Sequence, residues 1–252
     1  MFIDSHAHLQ NEQFDNDIEI VYKKSLDNSV GRIINIGYDL NSCKKTIEII
    51  NRFEHIWGTV GMHPHDAINY NKNFEENLFL FFADKKIIGL GEIGLDYFKE
   101  YSTIDIQKKV FIKQLEIAKE KELPVVIHCR DAYDDCYEIL KSHNVSKGVM
   151  HCFSGDEKEV ERFLSLGFYI SFTGTVTFRK NDLKAVKATP VDRLLLETDC
   201  PYMTPVPFRG KRNDPSYIPI IAQKIASVHK VDVLEIEEKT TENVYRLFKR
   251  LS

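Results

Sequence analysis

The sequence is poor in several things that would have fixed a class at once. Its five cysteines are odd in number and none stands in a C-x-x-C pair, so no disulfide framework is indicated and a reducing compartment is expected. No charged stretch leads into an apolar core at the start, and candidate ligands begin at His6, so the beginning reads as mature protein and the location as cytoplasmic. The longest strongly apolar run, 78–83, is far too short to cross a bilayer, and no membrane partner is expected. Cations are not in excess: 34 Lys and Arg against 38 Asp and Glu leave a net charge of −4. That balance argues against a basic scaffold coating nucleic acid and requires any polyanion to meet a local positive patch. Repeats, low-complexity tracts and shifts of composition are missing too, so residues 1–252 read as one domain. No unusually apolar surface element is visible, and a monomer without protein partners is expected.

What the chain does have is alternation. Short β-branched runs at 2–4, 32–36, 56–60, 87–91, 124–127, 148–150, 168–172 and 194–197 alternate with helical patterns at 17–28, 41–52, 74–82, 104–121, 132–142, 157–166 and 180–186. In the clearest helix, 104–121, Val110, Ile112, Leu115, Ile117 and Ala118 recur near the 3.6-residue period with lysines and glutamates opposite. Two more helical stretches, 217–228 and 233–251, follow the eighth strand. Strict β-α alternation over eight strands predicts an α/β fold, a (β/α)8 TIM barrel with an extra C-terminal helix, and 252 residues is the usual size of one such barrel.

Catalytic groups of these barrels stand at the carboxyl ends of strands. Asp4-Ser5-His6-Ala7-His8 ends the first, and alternation along it puts His6 and His8 on one side, close enough to share a metal ion. His63 and His65 follow the third strand, Glu92 follows the fourth, His128 ends the fifth, His151 the sixth and Asp199 the eighth. Of nine histidines only His55, His143 and His229 lie elsewhere. One histidine at a strand end is more often a hydrogen-bonded structural residue than a ligand; six of them, joined by two carboxylates, predict a metal centre. Cys129, Cys152 and Cys200 each follow a candidate ligand, and are expected to point the other way as small apolar fillers.

Read in order, IDSHAHL (3–9), GMHPH (61–65), GLGEIGLDY (89–97), VIHCRDA (126–132), HCFSG (151–155), LLETDCPY (195–202) and RGKRNDP (209–215) resemble the TatD-type metal-dependent deoxyribonucleases of the metallo-dependent hydrolase superfamily. Carried over position by position, the resemblance implies that His6, His8, Glu92 and Asp199 hold one divalent ion, and that Glu92 bridges to a second held by His128 and His151. It implies that His63 lies beside the ions, against the scissile phosphate or a further ion. It also implies a nuclease that trims DNA, or RNA, from the 3′ end. For His65 a strand-end hydrogen bond is expected.

Two such ions, with Zn, Mn, Ni or Co suiting histidine-rich ligation better than Mg, would polarise a phosphoryl oxygen and activate water. Asp199 is expected both to ligate and to orient or deprotonate that water. Glu197, on the same side of its strand as Asp199, is expected to hold a ligand histidine, with a plain buried salt bridge as the competing reading. For the substrate, the segment 205–215 carries three cations against one anion and follows the eighth strand, where such barrels often bind phosphate, so Arg209 is a candidate. Arg130, close to His128 on its strand, is another, with a structural ion pair as its alternative. Tyr97, Phe98 and Tyr202 could stack on bases or merely pack the rim. A hydrolase of a C–N or ester bond in a small metabolite would use the same ions and water. A carboxylate at Glu92, where related amide hydrolases carry a carbamylated lysine, and the basic loop both favour the phosphodiester. A purely structural metal site would need four ligands and no open position.

Overall fold

In the computed structural model, which describes residues 1–251, the strands are β1 (Phe2–Ala7), β2 (Val30–Ile36), β3 (Ile56–Val60), β4 (Ile87–Asp96), β5 (Val125–Arg130), β6 (Gly148–Met150), β7 (Tyr169–Phe172) and β8 (Leu194–Leu196). They pair in parallel and in chain order. Ala7 bridges Cys200, the Asp199 N–H donates to the His6 carbonyl at 2.9 Å, and the His8 N–H donates to the Cys200 carbonyl at 2.9 Å. The first and last strands thus meet just where the candidate ligands begin, and the eight-stranded sheet curls into a nearly closed TIM barrel.

Helices α1 (Ile18–Asp27), α2 (Leu40–Arg52), α3 (Lys72–Phe81), α4 (Ile104–Glu120), α5 (Tyr133–Ser142), α6 (Glu157–Ser165), α7 (Lys180–Ala188) and α8 (Ile218–His229) follow the strands in turn, and α9 (Val233–Leu247) is the extra helix. Capping boxes start two of them, Asp39 with Ser42 at α2 and Asp156 with Glu159 at α6, each satisfying backbone N–H groups that have no partner inside the helix. Among the described residues, no helix is long and apolar enough to cross a membrane.

The core has two parts. One lies between the sheet and its helices. The other draws a residue from every strand, among them Ile3, Ile34, Val126 and Leu195, with Trp57 packed at its edge. Its members alternate along the strands with those of the first cluster, Ile34 with Ile33 and Val126 with Val125, so it faces the lumen of the barrel. Val244, Leu247 and Phe248 from the end of α9, with Leu251 beyond it, join this second cluster, so the extra helix plugs the amino-terminal end. Buried Asn243 fixes it there by donating to the carbonyls of Val191 and Leu194, at 2.8 and 2.9 Å.

Two boundaries differ from expectation by more than three residues. β4 does not stop at Gly91 but continues to Asp96, with its pairing to β5 shifting register between Leu90 and Ile93. Two of the three glycines in GLGEIG let the strand press on its neighbour. Gly91 has φ +157 and a Cβ there would lie 2.6 Å from that of Val126, while Gly94 has φ +141 and a Cβ would strike the His128 carbonyl oxygen. At the other end of the chain α9 stops at Leu247, and a 3-10 turn, Lys249–Leu251, replaces the rest of the expected helix.

Candidate metal centre

Glu92 stands at the middle of the barrel mouth, inside β4, and its two oxygens face different partners. Oε2 lies 3.6 Å from His6 Nε2 and 3.7 Å from His8 Nε2. Oε1 lies 2.9 Å from both His128 Nδ1 and His151 Nε2, and 3.4 Å from His63 Nε2. Asp199, whose φ of +54 is in the left-handed region that non-glycine residues seldom adopt, brings Oδ1 to 3.3 Å from His8 Nε2 and 3.8 Å from His6 Nε2. Donor atoms fall into three overlapping groups, each within 4.8 Å: His6, His151 and Asp199; His6, His8 and Glu92; His63, Glu92 and His128.

Hydrogen bonds on the far side of the rings decide which nitrogen faces the centre as a bare lone pair. His8 Nδ1 sits 3.0 Å from the Ile36 carbonyl, which can only accept, so Nδ1 carries the proton and Nε2 points inward unprotonated. His128 Nε2 is 3.0 Å from the carboxylate of Asp96, which leaves Nδ1 bare against Glu92 Oε1. Two acceptors 2.9 Å apart repel unless a proton or a metal ion lies between them, and imidazole with carboxylate is a donor set that fits a divalent metal. His63 is the other way round. Its Nδ1 accepts the His65 N–H at 3.1 Å, so Nε2 bears the proton and is aimed at the centre as a donor. Burial, with His128 nearby, pushes its pKa down to about 4, so it is neutral at pH 7.

Burial alone would raise Glu92, but the histidines around it, His151 foremost, hold it well below the usual carboxylate range. Asp199 is likewise held down against burial, by the imidazoles of His8 and His6 beside it. Behind the ligand candidates sits a further layer. Asp96 is buried at the end of β4 and accepts from His128 Nε2 (3.0 Å), His65 Nε2 (2.8 Å) and the N–H groups of Phe98 and Lys99. Burial works against its charge, and the two histidines outweigh it. The sequence reading does not single out Asp96, although it stands two strand periods beyond Glu92 on the same face. It also supplies a partner for His65, which the sequence leaves without one. Glu197 has Oε1 3.5 Å from His151 Nδ1 and accepts from the Cys152 N–H and the Ser171 hydroxyl, both at 2.5 Å. Behind β1, Asp4 accepts from Thr198, and burial pushes it up to about 8. Helix α4 holds the backbone beside these groups: Gln107 accepts the Asp96 N–H, and Gln114 pairs with both polar groups of Met62.

The profile of a known family, TatD related DNase, matches residues 3–249. The chain belongs to the TatD family. It is 42% identical to the metal-dependent hydrolase YabD of Bacillus subtilis, over 99% of each chain. It is 32% identical to the 3′-5′ ssDNA/RNA exonuclease TatD of Klebsiella pneumoniae, over 97% of each. The solved structure of the TatD homologue YJJV from Escherichia coli K12 superposes with a TM-score of 0.93 at 28% identity, over 98% of both chains. This is therefore a metal-dependent hydrolase of the TatD family.

The TatD-family mouth opens as a cavity of about 850 Å³, with Tyr133 and Tyr202 among its walls. Of the residues expected to meet substrate, Arg130 and Tyr202 line it. Arg130 is exposed, with its guanidinium 3.7 Å from the centre of the Phe98 ring, in place of an ion pair. Tyr97 and Arg209 are not brought there. The Tyr97 hydroxyl donates to Asp135 at 2.7 Å and its ring packs against the core, which turns it away from the mouth. Arg209 lines a neighbouring groove and covers the Phe178 ring at 3.8 Å, because its loop folds outward past Met203. Two cations that do not stand out in the sequence line the cavity, Lys99 from the loop after β4 and Arg179 from the loop after β7. Lys99 directly follows Phe98 and is within reach of strand-end reasoning, whereas Arg179 stands seven residues past β7 and is not. Of the three cysteines, Cys200 is buried as expected, whereas Cys129 and Cys152 reach the cavity wall.

Proposed function

We propose that this TatD-family chain is a phosphodiesterase that holds two divalent ions and trims single-stranded DNA from its 3′ end. The observation that carries the reading is the divided carboxylate of Glu92, with Oε2 turned to His6 and His8 and Oε1 to His128 and His151, as a bridging ligand requires. Asp199 would complete the first set. Bound there, two ions would lower the pKa of a water and polarise a phosphoryl oxygen. The protein's own groups do the rest. Asp199, ionised at neutral pH and open to the cavity, orients the water and takes its proton. His63 offers its Nε2–H to an oxygen of the phosphate, and its neutrality keeps that proton in place across the working pH range. Lys99, Arg130 and Arg179 face the anionic substrate across the cavity, and Tyr202 presents a half-exposed ring to a base. Polarity and preference for single strands are carried over from the Klebsiella relative's name.

The test is metal-stripped protein with end-labelled single-stranded and duplex DNA, restored with Mg, Mn or Zn, beside Glu92→Ala. A ladder that shortens from the 3′ end only when metal is restored, and is missing in the variant, is expected. Failure to cleave DNA with any of these ions, while small amides or esters are turned over, would place the chain among the metabolite hydrolases instead.

A further inference from the structure

A second cavity, of about 390 Å³, lies beside the metal cavity. Three chain segments line both. Asn11 faces the metal cavity and Gln13 the second; Arg179 faces the first and Phe178 the second; Tyr202 faces the first and Pro201 the second. Met203 lines both, so the two run into one another across a low sill at Tyr202 and Met203, which are 50% and 41% exposed.

The two cavities differ in charge. Carboxylates enter the lining of the first, through Glu92, Asp199, Asp66 and Asp131, whereas the second has none and carries Arg209, Lys211 and Arg212. Arg212 is committed to the fold, since both its terminal nitrogens bond to Asp17, at 3.0 and 2.6 Å. Arg209 spreads over Phe178 and Lys211 is exposed; among the described residues neither has a carboxylate partner. On a chain of net charge −4 this is a local positive tract that opens into the proposed reaction site.

We infer that the second cavity is a binding tract for the sugar-phosphate backbone of a single-stranded polynucleotide, holding the part of the strand that remains after the terminal residue enters the metal cavity. The inference rests on the phosphodiesterase reading of that cavity. Lys211 and Arg209 hold phosphates, and the base that crosses the sill stacks on Tyr202. A substrate with a single phosphodiester bond uses the metal cavity alone, so binding strengthens as the strand lengthens across the sill.

The experiment uses metal-loaded protein and fluorescein-labelled, nuclease-resistant phosphorothioate oligothymidylates of two and eight nucleotides, with anisotropy read over a range of salt. Wild type is expected to bind the octamer about tenfold more tightly than the dimer, and Lys211→Glu to erase most of that gain. The log–log salt slope for the octamer should fall by about 0.7 for each phosphate that a variant no longer neutralises. Arg209→Gln, whose circular dichroism reports its fold, should act in the same direction. Equal affinity for both lengths in wild type, or an octamer bound as tightly by Lys211→Glu, overturns the tract. An ordinary phosphodiester octamer, bound with the expected length dependence but never cleaved, supports the tract while sinking the nuclease reading. Cleavage without length dependence does the reverse.

Discussion

The two ends of this barrel are built from the same eight strands and do opposite things. At the carboxyl end, His6, His8, His63, His128 and His151 crowd around Glu92 and Asp199, with polar atoms turned toward one another away from water. At the amino end, Ile3, Val126, Val149 and Leu195 meet Phe248 and Leu251 in a dry plug closed by the last helix. The first arrangement is unfavourable for a metal-free protein, because desolvated acceptors face each other. The second is favourable without any ligand, because it removes apolar surface from water. Chemistry and stability are thus kept at opposite ends, a division that barrels of this kind use widely.

That separation makes strong predictions. The largest effect is expected at the mouth: Glu92→Gln keeps the volume but not the charge, and should lower metal-dependent turnover by roughly 10²–10³-fold or more. Bound metal, measured by plasma mass spectrometry, should fall with it while the far-UV spectrum stays native. Next comes the plug. Phe248→Ala should cost about 3–5 kcal/mol in urea unfolding, yet leave turnover per folded molecule unchanged; a parallel loss of turnover would show the ends to be coupled. Asp96→Asn and Glu197→Gln act through His128 and His151, the proposed ligands they face, and should each weaken metal affinity by roughly 10–100-fold, measured by chelator competition, without the loss of stability seen at the plug. The smallest effect lies on the rim of the mouth, away from the metal centre. Arg212 holds Asp17 below its ordinary pKa by a direct hydrogen bond. A depressed carboxylate contributes stability above its unfolded value, near pH 4, and loses it as the pH falls through the folded one. Asp17→Asn should therefore cost only about 0.2–1 kcal/mol at pH 7, and the difference from wild type should vanish in unfolding curves recorded at progressively more acidic pH.

The barrel and the place of its polar residues are legible in the sequence because both depend on period. Alternation of strand and helix gives the fold, and residues that end strands must gather at one mouth. Less can be read where a side chain's fate depends on how a loop folds. Tyr97 and Arg130 both stand near strand ends, yet one hydroxyl finds Asp135 while the guanidinium stays at the cavity. Arg209 belongs to the basic loop that the sequence marks, but the turn of that loop carries it past Met203 into the adjoining groove. Arg179 reaches the cavity from seven residues beyond β7, a distance along the chain that no periodicity spans. Glycines usually interrupt strands, so the expected β4 ends short, and Asp96 falls in the part beyond its expected end.

The seam of the barrel has a consequence for how the protein comes into being. His6 and His8 are synthesised long before Asp199, yet the hydrogen bonds that close the ring join these same segments. A nascent chain that has not passed β8 carries the histidines and Glu92 but not Asp199, and no local folding can supply it. On the proposed ligand set, the centre is complete only once translation has passed the last strand and the ring has shut.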